Sequence, residues 1–227
     1  MAELALAALA FAALHLLPAM GAREVLIRRI GDPAYMGLFS LASILGLAWM
    51  IAAYNSAPAS EPLWVTSPVL RWATAAAMLL PFILLVSGTT TRNPSSILGK
   101  EALKTPHQWN DIFAVTRHPV MWAIAIWAAL HLLNRPDLTS ALLFGPLGLL
   151  AIVGSMRQEI RKREEFGDAW DRFAGQTSFV PFAGILSGKA RLHLKELGGW
   201  RLAAALVLWL AALALHETVL GVPPLPA

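Results

Sequence analysis

The stretch AYMGLFSLASILGLAWMIAAY, residues 34–54, runs through 21 positions without a charged side chain. At about 1.5 Å per residue a helix of that length covers the roughly 30 Å hydrocarbon core of a bilayer. Comparable runs recur at 4–22, 69–87, about 112–134, 138–156 and 202–220. The chain is 57% hydrophobic and 14% charged. Soluble domains run nearer 45–50% apolar with about 25% charged. These runs predict an all-α integral membrane bundle of about six transmembrane helices, read as a single domain over 1–227. The first run lacks the basic lead of a cleaved signal and is followed by further spans, so it reads as a permanent helix.

The basic residues alternate with the spans. Of 18 Lys and Arg, 16 fall in the first, third and fifth connections, leaving Arg71 and Arg135 for the other side. Basic residues beside spans are retained in the cytoplasm, which predicts both termini outside and cytoplasmic loops at 88–111 and 157–200. A bacterial inner (cell) membrane is the expected location. The sequence pI of about 9.9 reflects this headgroup-facing surface, so the bilayer is the expected partner and nucleic acid is not. The loop at 88–111 is expected to hold a short helix near 97–104. The loop at 157–200 opens as a charged helical run, with Glu164, Glu165, Asp168 and Asp171 on a solvated face. It continues into an amphipathic stretch near 186–198 suited to the interface.

Absence of cysteine removes disulfides, thiolate metal sites, iron–sulfur clusters, covalent c-type haem and cysteine nucleophiles. Any metal or haem must be held by other side chains. Polar residues inside spans are expensive and therefore informative. His15 lies in the first span and His131 in the fourth, with Ala8, Ala12 and Ala19 near the former and Ala128 one turn from the latter. Neutral imidazole ligates iron well, and small neighbours leave room for a flat ligand. Two such histidines could clamp a haem; equally, each could bond across helices and serve packing alone. Counted from Arg23 and Arg117, their depths differ by roughly 9 Å. At the mouth of the fourth span, Arg117 and His118 precede Pro119, a residue suited to the first helical turn. That corner could hold an anion such as a phosphate, a carboxylate or a haem propionate, or it could be a snorkelling arginine and a capping histidine. His107, His193 and His216 read as solvated or interfacial.

Taken in order, HLLP (15–18), YMGLFSLAS (35–43), TRHP (116–119), WAALH (127–131) and TSFVPF (177–182) together resemble the NnrU family over roughly residues 5–188. That family is named for a role in bacterial denitrification, in nitrite and nitric oxide reduction. It is similar to the plant 15-cis-zeta-carotene isomerase, a haem b membrane enzyme. The resemblance implies one non-covalent haem b with His15 and His131 as axial ligands, and possession of either role or of redox-dependent isomerisation of an apolar polyene. The isomerase carries a cysteine three residues before its second ligand, where this chain has Ala128. That departure weighs against a thiol ligand exchange. A more distant resemblance, through Arg117-His118-Pro119, Gln158-Glu159 and Phe166-Gly-Asp-Ala-Trp170, is to S-adenosylmethionine-dependent isoprenylcysteine and phospholipid methyltransferases. Met121, Ala123 and Gln158 depart from that pattern.

Overall fold

The computed structural model describes residues 1–95, 102–103 and 109–226. Eight helices of nine or more residues are formed among the described residues. They are α1 (Ala2–Leu16), α2 (Ala22–Ile30), α3 (Asp32–Ser56), α4 (Pro68–Thr90, with a break at Met78), α5 (Pro119–Asn134), α6 (Leu138–Phe166), α7 (Asp168–Gln176) and α8 (Gly199–Leu220). Four of these, α3, α4, α6 and α8, are long and apolar enough to cross a membrane; α1 and α5 are shorter apolar helices. The six apolar helices match the expected spans in number and order. The molecule is a multi-pass membrane protein.

Two span boundaries differ from the sequence reading, each for a local reason. The first helix ends at Leu16, because Pro18 lies in a tight 3-10 turn over Leu17–Met20. The fourth begins at Pro119 rather than at 112, because a proline drives the residues before it out of the helical region. Thr116 is fully extended and His118 non-helical, so Ile112–Val115 forms a separate turn. The expected amphipathic stretch near 186–198 is likewise reduced to short turns at Ala183–Leu186 and Leu194–Leu197. The expected helix near 97–104 and His107 lie outside the described residues, apart from a helical Ala102 and Leu103.

Packing orders the apolar helices α3, α1, α6, α5, α4, α8 across the bundle, with α3 also touching α6. Sequence neighbours run antiparallel, so their ends collect on two faces. On the far face, Thr66 donates to the carbonyl of Asn134 at 2.9 Å, Ser60 meets Thr139 at 3.0 Å, and Arg71 reaches the carbonyl of Pro223 at 2.8 Å. On the basic face, Arg201 at the start of α8 donates to Thr90 at the end of α4. Of the four long apolar helices, α3 and α8, the two rims of the row, are the least buried. Their bare Leu and Ile side chains suit a lipid solvent, which satisfies apolar surface without a protein partner.

Two apolar clusters hold the bundle. One, nearer the far face, joins Leu4, Ala7 and Phe11 of α1 to Met50 of α3, Ala128 of α5 and Phe144 of α6. The other lies on the basic side and forms a cap. Trp170 and Phe173 of α7 pack with Trp109 and Phe113, the rings meeting edge to face at centroid distances of 4.7–5.8 Å. Such aromatic pairs prefer this geometry and add to the burial of their area. The α6 helix reaches this cap because its 29 residues exceed what a bilayer needs. Its first 19 residues, 138–156, suffice for the core, and the last turns carry Arg157, Glu159, Arg161, Lys162 and Arg163 beyond it.

Candidate functional site

The TRHP and TSFVPF segments, about 60 residues apart in sequence, meet on the basic face. Arg117 N–H donates to the carbonyl of Ser178 at 2.9 Å, Phe182 N–H to that of Val115 at 2.8 Å, and the Thr116 hydroxyl to that of Phe179 at 2.7 Å. Ser95 donates to the carbonyl of Arg117 from a third segment. The extended Thr116–His118 stretch is thereby tied on both sides, and it aims two side chains at α6.

Both reach the same atom. Arg117 Nε lies 2.6 Å from Glu159 Oε1, and His118 Nε2 lies 2.5 Å from it. Arg117 Nη1 also donates to the carbonyl of Thr177 at 3.4 Å, and the guanidinium lies over the Phe179 ring. The His118 side chain is fully buried, walled by Phe179 and Trp170 with centroids at 5.4 and 6.4 Å. Burial alone pushes the Glu159 carboxyl upward, but the hydrogen bonds from His118 and Arg117 outweigh it and bring the group down to about 2. Glu159 is thus a carboxylate at neutral pH, able only to accept. His118 must therefore donate from Nε2, leaving Nδ1 as the buried ring atom without a hydrogen-bond partner. The guanidinium of Arg117 bonds an internal carboxylate here, and that is what the corner first does: it locks the start of α5 to the end of α6.

Glu159 is the residue that sequence reasoning underrated, naming it only within the methyltransferase-like pattern. A signal was present. Ala151, Ser155 and Lys162 of α6 are buried, and Glu159 continues the same helical stripe at spacings of four and three. The neighbouring acids behave as a solvated face: Asp171 pairs with Arg163 at 2.8 Å in the open, and Glu165 is half-exposed beside Lys162.

The two span histidines sit elsewhere, and not in contact with that corner. His15 Nδ1 lies 2.9 Å from the carbonyl of Phe11, and His131 Nδ1 lies 2.9 Å from the carbonyl of Trp127. A carbonyl only accepts, so each Nδ1 carries a hydrogen, and in the neutral form of either ring the lone pair stands at Nε2. This is the tautomer a metal-ligating histidine needs, with its other nitrogen fixed by a hydrogen bond. The donor chemistry therefore fits a haem iron. The structure does not bring the two rings into contact: His15 packs on Phe11 and Phe39, and His131 on Trp127 and Phe144. His15 lies 13 residues from the far-face end of α1 and His131 three from that of α5, a backbone offset of about 15 Å. Helical side chains lean toward their own N-terminus. Because α1 and α5 run in opposite directions, the rings lean toward each other and narrow that offset. Ala128 is buried in the α5–α6 contact, where a Cβ placed on Gly148 would lie 3.3 Å from its own Cβ. The small residue beside His131 serves helix approach. Among the described residues no group of three or more His, Cys, Asp or Glu is placed to hold a metal ion.

Comparison with known proteins sets these residues in a family. A family model described as NnrU protein matches residues 3–224, so the chain belongs to the NnrU family. It is 25% identical over 173 residues to "15-cis-zeta-carotene isomerase, chloroplastic" of Arabidopsis thaliana, covering 74% of this chain and 46% of that protein. It is 25% identical over 172 residues to the protein of the same name in Zea mays, covering 72% and 45%. The chain thus spans just under half the length of these curated relatives. No solved structure matches it.

Proposed function

From its membership of the NnrU family, we propose that this chain is a membrane protein that holds a non-covalent haem b through His15 and His131 and takes part in isomerising an apolar polyene. The observation that carries the haem reading is the pair of span histidines, each donating from Nδ1 to its own helix and so keeping Nε2 bare. The printed names of two relatives support isomerisation, with a substrate of the zeta-carotene kind. An apolar substrate also suits a bundle whose rim helices are open to lipid. A haem iron would supply a redox-switchable Lewis acid. The chain's own residues would do the rest: the aromatic rings at Phe39 and Phe144 orient the imidazoles, and the surrounding apolar side chains exclude water. The role implied by the family's name, support of nitrite and nitric oxide reduction, is the alternative use of the same haem. A bacterial inner membrane, with the basic face toward the cytoplasm, is the setting that goes with this reading.

Absorption spectroscopy of the purified chain, expressed with haem supplied, tests it. With both histidines on one iron, the reduced spectrum shows sharp α and β bands of a six-coordinate low-spin haem. His15→Ala and His131→Ala each convert or abolish that spectrum, while His193→Ala leaves it unchanged. A five-coordinate wild-type spectrum means that the depth offset persists and only one histidine binds. Absence of a Soret band, or wild-type spectra from both single variants, removes the haem reading altogether. Saturable binding of S-adenosylmethionine near micromolar affinity would instead revive the methyltransferase resemblance.

A further inference from the structure

On the basic face, α2 keeps one side open among the described residues. None of its nine residues is buried, and Val25, Leu26 and Ile30 are 46%, 42% and 42% exposed. It is nevertheless anchored. Arg23 bonds Asp32 at 3.3 Å and lies 5.7 Å over the Tyr35 ring, which folds α2 back against the start of α3. Arg28 and Arg29 are exposed at its end; Arg28 Nε touches the carbonyl of Glu24, and Arg29 has no side-chain partner among the described residues. The opposite rim of the same face repeats the pattern. Leu186, Leu194 and Trp200 are 86%, 67% and 58% exposed, with Arg191 and Lys195 exposed among them.

Neither bulk water nor the hydrocarbon core suits such surfaces. Water leaves the leucines, valine and isoleucine bare, and hydrocarbon leaves the guanidinium groups without partners. The headgroup layer accepts both, because apolar side chains enter the acyl boundary while cations meet lipid phosphates. The position agrees, since α2 joins two apolar helices whose adjacent ends lie on one face. Charge selects the lipid: with Arg23 and Asp32 paired to each other, Arg28 and Arg29 against Glu24 leave α2 cationic. We propose that α2 is an in-plane helix that binds anionic phospholipid headgroups through Arg28 and Arg29, and that the 186–200 segment makes the matching contact at the opposite rim.

The full chain, reconstituted in nanodiscs of phosphatidylcholine alone or mixed with phosphatidylglycerol, tests this by thermal unfolding and by native mass spectrometry of retained lipid. Phosphatidylglycerol is expected to raise the wild-type midpoint by on the order of 2–4 °C for each engaged arginine. The double variant Arg28→Gln, Arg29→Gln should match wild type in phosphatidylcholine, lose at least half of the phosphatidylglycerol gain and retain fewer of its molecules. Arg163→Gln should keep the gain, because Arg163 lies outside both segments and already pairs with Asp171 at 2.8 Å. An equal gain and equal retention in the double variant, or no gain in wild type, overturns the proposal. So does a gain of the same size from inorganic phosphate added to phosphatidylcholine discs.

Discussion

Glu159 concentrates the residue-scale physics of this protein. One carboxylate oxygen accepts from both Arg117 and His118, and the side chain is only 14% exposed. Solvent screening is weak at such a site, so the pairing bears on stability. The carboxyl titrates near 4.5 when unperturbed and near 2 in the folded protein. Its stabilisation is therefore fully present above 4.5 and lost as pH falls through that window toward 2. The loss should be on the order of 3 kcal/mol. Chemical unfolding of the detergent-solubilised protein at pH 6, 4 and about 2.5 measures it. Glu159→Gln should flatten the acid limb and lower stability at pH 6 by roughly 3 kcal/mol, since the Arg117 charge is left buried without its counter-ion. An unchanged acid limb in that variant would show that other carboxylates govern it. The two span histidines stood out in the sequence because a bare imidazole among leucines has few explanations. The Glu159 pairing did not, because its partners lie about 40 residues earlier and a charged helical run disguises its one inward acid.

At the scale of elements, the start of α5 shows why span number is easier to read than span ends. Averaged over a window, hydropathy carries the apolar signal back to Ile112 across Thr116-Arg117-His118, yet the backbone leaves the helix at Thr116 and re-enters at Pro119. Backbone sterics before a proline decide this, and they act on a scale that a 19-residue window averages away. The first span is shortened by Pro18 for a related reason, and α2 was hidden because it is only nine residues long and its apolar residues are mixed with arginines. Close approach is equally local. Gly88 near the end of α4 faces the first turn of α5 so tightly that a Cβ there would lie 2.8 Å from Pro119 Cγ and 3.0 Å from Val120 Cγ2. The proline ring is rigid and cannot move aside. Gly88→Ala should therefore cost about 1–3 kcal/mol as the two helices are pushed apart, read as a fall in the unfolding midpoint in detergent. Gly154→Ala, where the added Cβ meets nothing within 4 Å, is the matched control and should be neutral or slightly stabilising. Equal midpoints for the two variants would mean that the α4–α5 contact relaxes freely.

For the whole molecule, composition and the alternation of charge carried most of the architecture, because a bilayer constrains a chain more tightly than water does. Every backbone group must be paired inside the hydrocarbon, so apolar runs become helices and connections fall on alternate faces. The structure realises this alternation: Arg117, Arg157, Arg161, Lys162, Arg163 and Arg201 sit at helix ends on one face, whereas Arg71 and Arg135 lie on the other, Arg71 held by the carbonyls of Pro223 and Leu225. The pattern across the two faces also fixes an expected orientation in the cell. Basic residues close to spans resist translocation, so the connections whose sequence holds 16 of the 18 should stay in the cytoplasm. Paired reporter fusions, alkaline phosphatase and a fluorescent protein, resolve this when placed in the connections rather than inside helices. Fusions after Ala59, Arg135 and Pro226 should be active as phosphatase and dark as fluorophore. Fusions after Gly31, Asn93 and Gly188 should give the reverse. Removing Arg28 and Arg29 together leaves the remaining basic residues of the third and fifth connections in place, so the later reporters should hold their sides even if the first connection becomes mixed. A chain whose reporters invert at two or more of the six points would require a different number of crossings, with α1 or α5, at 15 and 16 residues, the helix that fails to cross.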